Sequence, residues 1–504
     1  MSKRNVLIVT FALLLSNAMA GLDSTIVNTA LPAIIADLHG LELMGWIVAV
    51  FLLATAVSTP LWSKMGERIG NRRTYQIAAV LFVLGSLLQG LAPNMVSLIV
   101  SRAVAGIGNG GMISLPYIIY AQLYEDPRKR MKVLGFVTAS YSAATIIGPL
   151  VGGAIVDAWS WHWVFYINVP IGLVSAVLVQ VFFKEQRVKR AVTRIDYLGA
   201  SLLTVGLIAL LGGIELIGEQ SALLVGGLMA VAVVCLVAML PVEARAADPI
   251  IPGRLFRNRD LMVDFVLFAL IWGSFIGFIV YAPMWAQALL GTSALVGGAT
   301  QIPGSFTNFG GAGSVASLRK RFSPQQVLLF SIMALVVTFA IMVLAGPHTP
   351  YWVLLLAAVF EGFGNGVCFS ELQVKVQQDA SRLDVPVATS SSFLVRMLSQ
   401  TLTAAVFGLV LNSALHRGIA QSAADGGANG TITMKMMNKL SDAASNASLP
   451  QALLPRMRSI MYSGLHNIML LCLVLMLAAL AVNLHELWRE QRALRHGRSE
   501  TAES

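Results

Sequence analysis

Gly135-Phe-Val-Thr-Ala-Ser-Tyr-Ser-Ala-Ala-Thr-Ile-Ile-Gly-Pro-Leu-Val-Gly-Gly153 lies inside an apolar run from about Met131 to Val156, long enough to cross a bilayer as one helix. Gly148-Pro149 falls near its middle, where a proline removes a backbone hydrogen bond and favours a kink. Gly148, Gly152 and Gly153 leave a flat surface on which a second helix can approach closely. A helix built to bend and to pack tightly in lipid predicts a moving part of a membrane protein.

The rest of the chain has the same character. Of 504 residues, 56% are hydrophobic and only 12% charged, which leaves little material for a separate soluble domain. The net charge of +10 does not imply nucleic acid, because the basic residues stand in short clusters between apolar runs, where they orient helices. Cys235, Cys368 and Cys472 lie far apart within apolar runs and show neither metal spacing nor a disulfide framework; no metal or cofactor is expected. Lys3-Arg4, an apolar stretch and Ala18-Met19-Ala20 imitate a cleavable signal, but the apolar pattern continues to Pro32.

Apolar runs at about 6–36, 43–63, 74–92, 96–122, 131–157 and 162–183 predict six helices. Two more, at about 195–215 and 221–241, precede a further six at 261–290, 296–317, 326–346, 350–374, 387–412 and 459–485. Lys64, Arg68, Arg72 and Arg73, then Arg128, Lys129, Arg130 and Lys132, then Lys184 to Arg194, fall on alternate loops. That asymmetry places both termini in the cytoplasm and demands an even number of spans. The expected fold is an all-α polytopic membrane protein of 14 transmembrane helices arranged 6 + 2 + 6. Its parts are an N-terminal half (1–190), two linking helices (191–245) and a C-terminal half (246–504), with an external, mobile or partly helical cap at 413–458. Two six-helix halves fit a transporter that rocks around a central site.

Gly135-x8-Ala144-x3-Gly148-Pro149-x2-Gly152 resembles the antiporter motif of drug:proton antiporters in the major facilitator superfamily, with Ala144 where glycine is usual. Leu22-Asp23-Ser-Thr-Ile-Val-Asn-Thr-Ala-Leu-Pro32 and Trp161-His-Trp163-Val-Phe165-Tyr-Ile-Asn168-Val-Pro170-Ile-Gly172 are similar to signatures of its fourteen-span branch, His162 standing where arginine is usual. Arg102-x3-Gly106-x-Gly108-x-Gly110-Gly111 matches the fourth-helix motif. Ser63-Lys64-Met65-Gly66-Glu67-Arg68-Ile69-Gly70-Asn71-Arg72-Arg73 is similar to the cytoplasmic gating motif, with Ser63, Glu67 and Asn71 departing from it. The resemblance implies a proton-driven exporter of lipophilic, often cationic compounds such as biocides, dyes and antibiotics, in a bacterial cytoplasmic membrane. Export of one specific metabolite or siderophore-like compound is the alternative, and the resemblance makes Arg102 part of the proton relay.

Asp23 carries the strongest expectation, since a carboxylate in lipid must face a cavity, pair, or take a proton. At 1.5 Å per residue it lies ~13 Å from Pro32, and Arg102 lies ~12 Å from Asn94, so the two share a depth or form a fixed ion pair. Glu361, ~16 Å from Pro350, falls at the same level in the second half, where it holds a proton or a cation, or pairs with Arg396. Glu371 reads as a satisfied helix-end charge, and Asp264 and Glu215 as snorkelling ones. Asn28, Tyr141, Trp272 and Tyr281 are candidates for the substrate cavity, with helix tethering and lipid contact as the rival readings.

Glu67 and Arg68 are expected to relay charge to Asp157 or to a neighbouring helix end, with Gly70 and Arg72 shaping that gate. Gly135, Gly148, Pro149, Gly152 and Gly153 are expected to form the hinge and seal, packed across the seam between the halves. No G-x-x-x-x-G-K-[ST], H-E-x-x-H or G-x-S-x-G occurs, so neither ATP-driven transport nor an embedded hydrolase is expected. The expected partners are lipid, drug and protons; a monomer suffices because one chain holds both halves, and a periplasmic adaptor is left open.

Overall fold

The computed structural model describes residues 2–124, 126–185, 197–217, 221–245, 255, 257–381, 385–424, 431–442 and 445–503. The first group of helices is α1 (Lys3–Leu38), α2 (Met44–Ile69), α3 (Asn71–Gly90), α4 (Met95–Leu123), α5 (Pro127–Ala158), α6 (His162–Tyr166) and α7 (Asn168–Phe182). Then come α8 (Tyr197–Glu215) and α9 (Ala222–Arg245). The last group is α10 (Arg259–Ala288), α11 (Ala294–Ala299), α12 (Ile302–Leu318), α13 (Pro324–Leu344), α14 (Tyr351–Asp379), α15 (Val385–Ala424), α16 (Met434–Leu440) and α17 (Leu454–Glu503). No strand occurs among the described residues. Each of the fourteen apolar runs overlaps helix. Ten stretches among the described residues are long and apolar enough to cross a membrane by themselves.

Local chemistry sets several helix starts. The side chains of Asn94 and Ser97 form a reciprocal capping box at α4, and Ser323 and Gln326 do the same at α13, where Pro324 needs no donor. The Asn258 side chain accepts from the amides of Asp260 and Leu261 at the start of α10. Two of the expected helices are broken. The run 162–183 divides at Ile167, and the run 296–317 divides at Thr300-Gln301, just before Pro303.

Within the first group α1 packs on α5 and α7, and α4 on α2 and α3; within the last, α14 packs on α12 and α13, and α10 on α15 and α17. The pair α8 and α9 packs on itself and reaches the bundle mainly through α8, against α2 and α15. Contacts between the two groups are made by α2 with α15, by α5 with α11 and α12, and by α1 with α10 and α11. One end of the bundle carries the start of α1 and the end of α17, and is called here the termini end.

The segment 413–458 is part helix. α15 continues to Ala424, and α16 lies over the far end of α1. There Ser441 Oγ donates to the Pro32 carbonyl at 3.0 Å and the Leu41 amide donates to Asn438 Oδ1 at 3.1 Å, while Met437 and Leu440 are fully buried.

Candidate functional site

Asp23 sits in α1 at 2% exposure and Arg102 in α4 at 4%, so both charges lie inside the first group of helices. Their nearest charged atoms, Arg102 Nη1 and Asp23 Oδ2, are 3.8 Å apart. Asn168, the first residue of α7, donates from Nδ2 to Asp23 Oδ1 at 2.8 Å. Arg102 donates from Nε to the Ile47 carbonyl at 3.2 Å and from Nη1 to Gln89 Oε1 at 3.4 Å, and its guanidinium carbon stands 4.2 Å above the Phe51 ring. Five helices therefore converge on one buried pair. Asp23 Oδ2 accepts no hydrogen bond, so half of the carboxylate relies on the guanidinium charge alone. Each charge of the pair is thus the main partner of the other, and loss of either would leave its neighbour buried without a counter-ion.

The common depth of Asp23 and Arg102 was legible from helical rise. Asn168 was visible only as part of a motif, and its contact with Asp23 depends on how α7 packs on α1.

In the second group, Glu361 is 4% exposed on α14 and accepts from the Asn365 side-chain amide one turn later. Its other face meets Gly304 of α12, where a Cβ would lie 3.4 Å from Oε2. No cation partners it among the described residues, so the pairing with Arg396 is not formed. Arg396 instead stands between three rings, with its guanidinium carbon 5.5 Å from Trp272, 5.0 Å from Phe369 and 5.1 Å from Phe393. Tyr281 is buried edge-on against Phe407 at 6.1 Å, as part of the α10–α15 contact. Asn28 is buried within α1, and the side chain of Tyr141 lies outside the described residues.

Glu371 is held by a fork from Arg319, with Nε at 3.0 and 2.9 Å from its two oxygens and Nη2 at 2.5 Å, and so ties α12 to α14. Asp264 is fully buried beside Lys375 Nζ at 3.5 Å, rather than snorkelling. Its position near a helix end suggested easy access to the interface; packing of α10 against α14 removes that access. The side chain of Glu215 lies outside the described residues.

The glycine helix uses two faces. A Cβ at Gly148 would meet Thr25 Oγ1, and one at Gly152 would stand 2.7 Å from Ile26 Cγ1, so both pack on α1 within the same half. The expectation that Gly148 packs across the seam is thereby corrected: it faces its own bundle. Gly153 does face the seam, where a Cβ would lie 2.6 Å from the Leu295 amide nitrogen. Gly298 of α11 returns the contact by resting on the Pro149 carbonyl. Asp157 caps the same end of α11, accepting from the amides of Ala294 and Leu295 at 3.1 and 3.0 Å, and Gln287 Nε2 donates to the Thr29 carbonyl at 3.3 Å. All these contacts lie at the end away from the termini. Gly135 stands near the opposite end of α5, in the part whose side-chain surroundings are outside the described residues.

Asp157 therefore cannot relay charge with Glu67 or Arg68, because α5 carries it to the far end. Arg68 is exposed, and the side chain of Glu67 lies outside the described residues. The loop's partner is Glu185, which accepts from the Asn71 amide at 2.7 Å and the Arg72 amide at 3.1 Å and so caps α3. Gly70 makes the turn at φ 96°, in the left-handed region, and a Cβ there would also meet Glu185 Oε2 at 2.7 Å. Arg72 donates to the Gln180 carbonyl, drawing the end of α7 to the same loop. Replacing Glu185 with Ala should lower stability by about 1 kcal/mol, the worth of a helix cap. Thermal unfolding in detergent checks this; an unchanged midpoint would make Glu185 a bystander.

A helical bundle of membrane-spanning length with a pair of opposite charges buried in one half and a glycine seam between the halves fits a transporter. The family described as Major Facilitator Superfamily matches residues 13–404, and the chain belongs to it. It is a multi-pass membrane transporter and not an enzyme. Multidrug resistance protein 3 of Bacillus subtilis (strain 168) is 31% identical over 94% of this chain and 94% of its own. Multidrug transporter protein MdtP of the same strain is 30% identical over 82% of this chain and 76% of its own. Among solved structures, an inward-facing, unoccupied bacterial homologue of the human lysosomal transporter Spinster superposes with a TM-score of 0.68 at 15% identity, covering 96% of this chain and 97% of that one. That likeness concerns the fold alone.

Proposed function

We propose that this chain is a proton-coupled multidrug antiporter that exports lipophilic, often cationic compounds by alternating access. The observation that carries the reading is the buried Asp23–Arg102 pair, held by Asn168. The names of the two Bacillus relatives, a multidrug resistance protein and a multidrug transporter, support drugs as the substrate class. Fourteen spans in a 6 + 2 + 6 order, termini in the cytoplasm and a bacterial cytoplasmic membrane complete the proposal. In that orientation the far end is the outer face, so the contacts of Gly153, Asp157 and Thr29 with α10 and α11 describe a transporter closed to the outside. A proton from outside neutralises Asp23, Arg102 is released, the halves rock, and the proton leaves inward.

Asp23 and Glu361 are both deeply buried, so in this conformation neither touches a ligand without local opening. Asp23 and Arg102 are assigned to the proton path, Glu361 to a second protonation position, and Trp272 to the substrate. The test is uptake of a cationic dye into proteoliposomes carrying an imposed pH gradient, acidic inside. Accumulation that stops when an ionophore collapses the gradient is expected; accumulation indifferent to the ionophore would rule out proton coupling.

A further inference from the structure

We propose that a cavity at the termini end of the second group of helices binds the primary ammonium group of an amphiphile. The cavity has a volume of about 440 Å³ and is walled by Val263 and Leu267 of α10, Leu328 of α13, Lys375 and Asp379 of α14, and Asn483 of α17. It lies within one half, apart from the Asp23–Arg102 pair, and needs nothing from the export reading.

Its charge is unbalanced. Lys375 Nζ stands 3.1 Å from Asp379 Oδ2 and 3.5 Å from Asp264 Oδ1. Asp264 is fully buried and Lys375 is 9% exposed. Two carboxylates thus share one ammonium, which leaves the floor of the cavity with one negative charge in excess, a costly state away from water unless a cation joins it. The arginines nearest the mouth are held by other acids. Arg489 Nη1 is 2.6 Å from Glu486 Oε2 and 3.6 Å from Asp260 Oδ1, and Arg259 Nη2 is 3.7 Å from Glu486 Oε1.

A buried acceptor in the same wall also lacks a donor. Asn483 is 1% exposed, and its Nδ2 donates to the Gln325 carbonyl at 3.0 Å. That bond fixes the amide and leaves Oδ1, on a residue that lines the cavity, with no hydrogen-bond partner. A primary ammonium brings both a positive charge and three N–H donors. A quaternary ammonium has the charge without the donors, and an alcohol has a donor without the charge.

Placement suits an amphiphile. Asp264 lies five residues into α10 and Lys375 four from the end of α14, or roughly 8 and 6 Å inside the helix ends at the usual rise. Val263, Leu267 and Leu328 give the wall an apolar side for an alkyl chain. Asp260, at the start of α10, is 61% exposed, so the mouth opens at the termini end. An aminolipid headgroup and a free alkylamine offer the same ammonium. The rival account is a proton on one carboxylate and water on Asn483.

Hexylammonium, hexyltrimethylammonium and hexanol separate the two accounts. Saturable binding to the full chain in phosphatidylcholine nanodiscs is measured by equilibrium dialysis against empty discs. We expect hexylammonium to bind about tenfold more tightly than either other probe, the worth of one charge-assisted hydrogen bond. Asp379→Asn, which leaves Lys375 balanced by Asp264, should weaken hexylammonium about tenfold. Asn483→Leu should erase the preference for hexylammonium over hexyltrimethylammonium, whereas Asn483→Asp should keep it. Both Asn483 variants lose the Nδ2 bond to Gln325, so only the acceptor distinguishes them. Absence of saturable binding, equal affinity for the three probes, or equal loss in Asn483→Leu and Asn483→Asp overturns the site. Adding phosphatidylethanolamine to the discs identifies the source: competition with hexylammonium supports the site as one for an aminolipid, and its absence supports the site as one for a free amine. Hexylammonium binding by a protein that moves no dye would keep the site and remove the export reading; dye export without that binding would do the reverse.

Discussion

Replacing Asp23 with Asn should reduce proton-driven export to the leak rate of empty liposomes while the protein still inserts. Asparagine keeps the shape and can still meet Asn168, but it can neither bind a proton nor balance Arg102. An unbalanced buried guanidinium costs about 3–5 kcal/mol when one member of such a pair is removed, so stability will also fall. A double replacement, Asp23→Asn with Arg102→Gln, separates the two effects because it removes both charges. If the pair is only a fixed brace, the double variant should recover stability and export together. If it is the proton path, stability should return and export should not. Dye flux and thermal unfolding on the same two variants decide between them.

Gly153→Leu should give the second large effect, by holding the far end open. Its Cβ would press on the Leu295 backbone, and neither α5 nor α11 can yield there while Gly298 rests on the Pro149 carbonyl. Overpacking of this kind costs about 1–3 kcal/mol, and the cost falls only on the state in which the seam is closed. A shift of 2 kcal/mol changes the ratio of open to closed forms about thirtyfold. Cysteine labelling from the far side at positions lining the seam should rise accordingly, and export should fall. Gly148→Leu, in contrast, strikes Thr25 of its own half and should damage assembly of α1 with α5 instead. Equal far-side labelling in the two variants would remove the distinction.

That contrast shows what a sequence can and cannot carry here. Hydropathy runs determine where helices form, because backbone groups in lipid must be satisfied within each segment, and every expected run overlaps helix among the described residues. Depth along a helix is also legible, as the shared level of Asp23 and Arg102 shows. Direction around the helix is not, since it depends on which neighbour packs on which face. Thus Gly148 and Gly153, five residues apart, serve different interfaces, and Glu361 turns to Asn365 while Arg396 turns to aromatic rings. Alternation of the loops already puts Asp157 opposite Arg68. Glu185, a single acid beside the basic run beginning at Lys184, gave no sign of capping α3 until the chain was folded. Membership in the superfamily could be inferred from motifs because they mark backbone close approaches; the substrate's charge could not, because it depends on which side chains reach open space.

The central claim is that one buried carboxylate exchanges a proton as part of the transport cycle. It is tested most directly by adding a cationic dye to the purified protein in weakly buffered detergent and recording pH. The account predicts proton release on dye addition to the wild type and none from Asp23→Asn. Dye binding without proton release, or equal release from the Asp23→Asn protein, would contradict it.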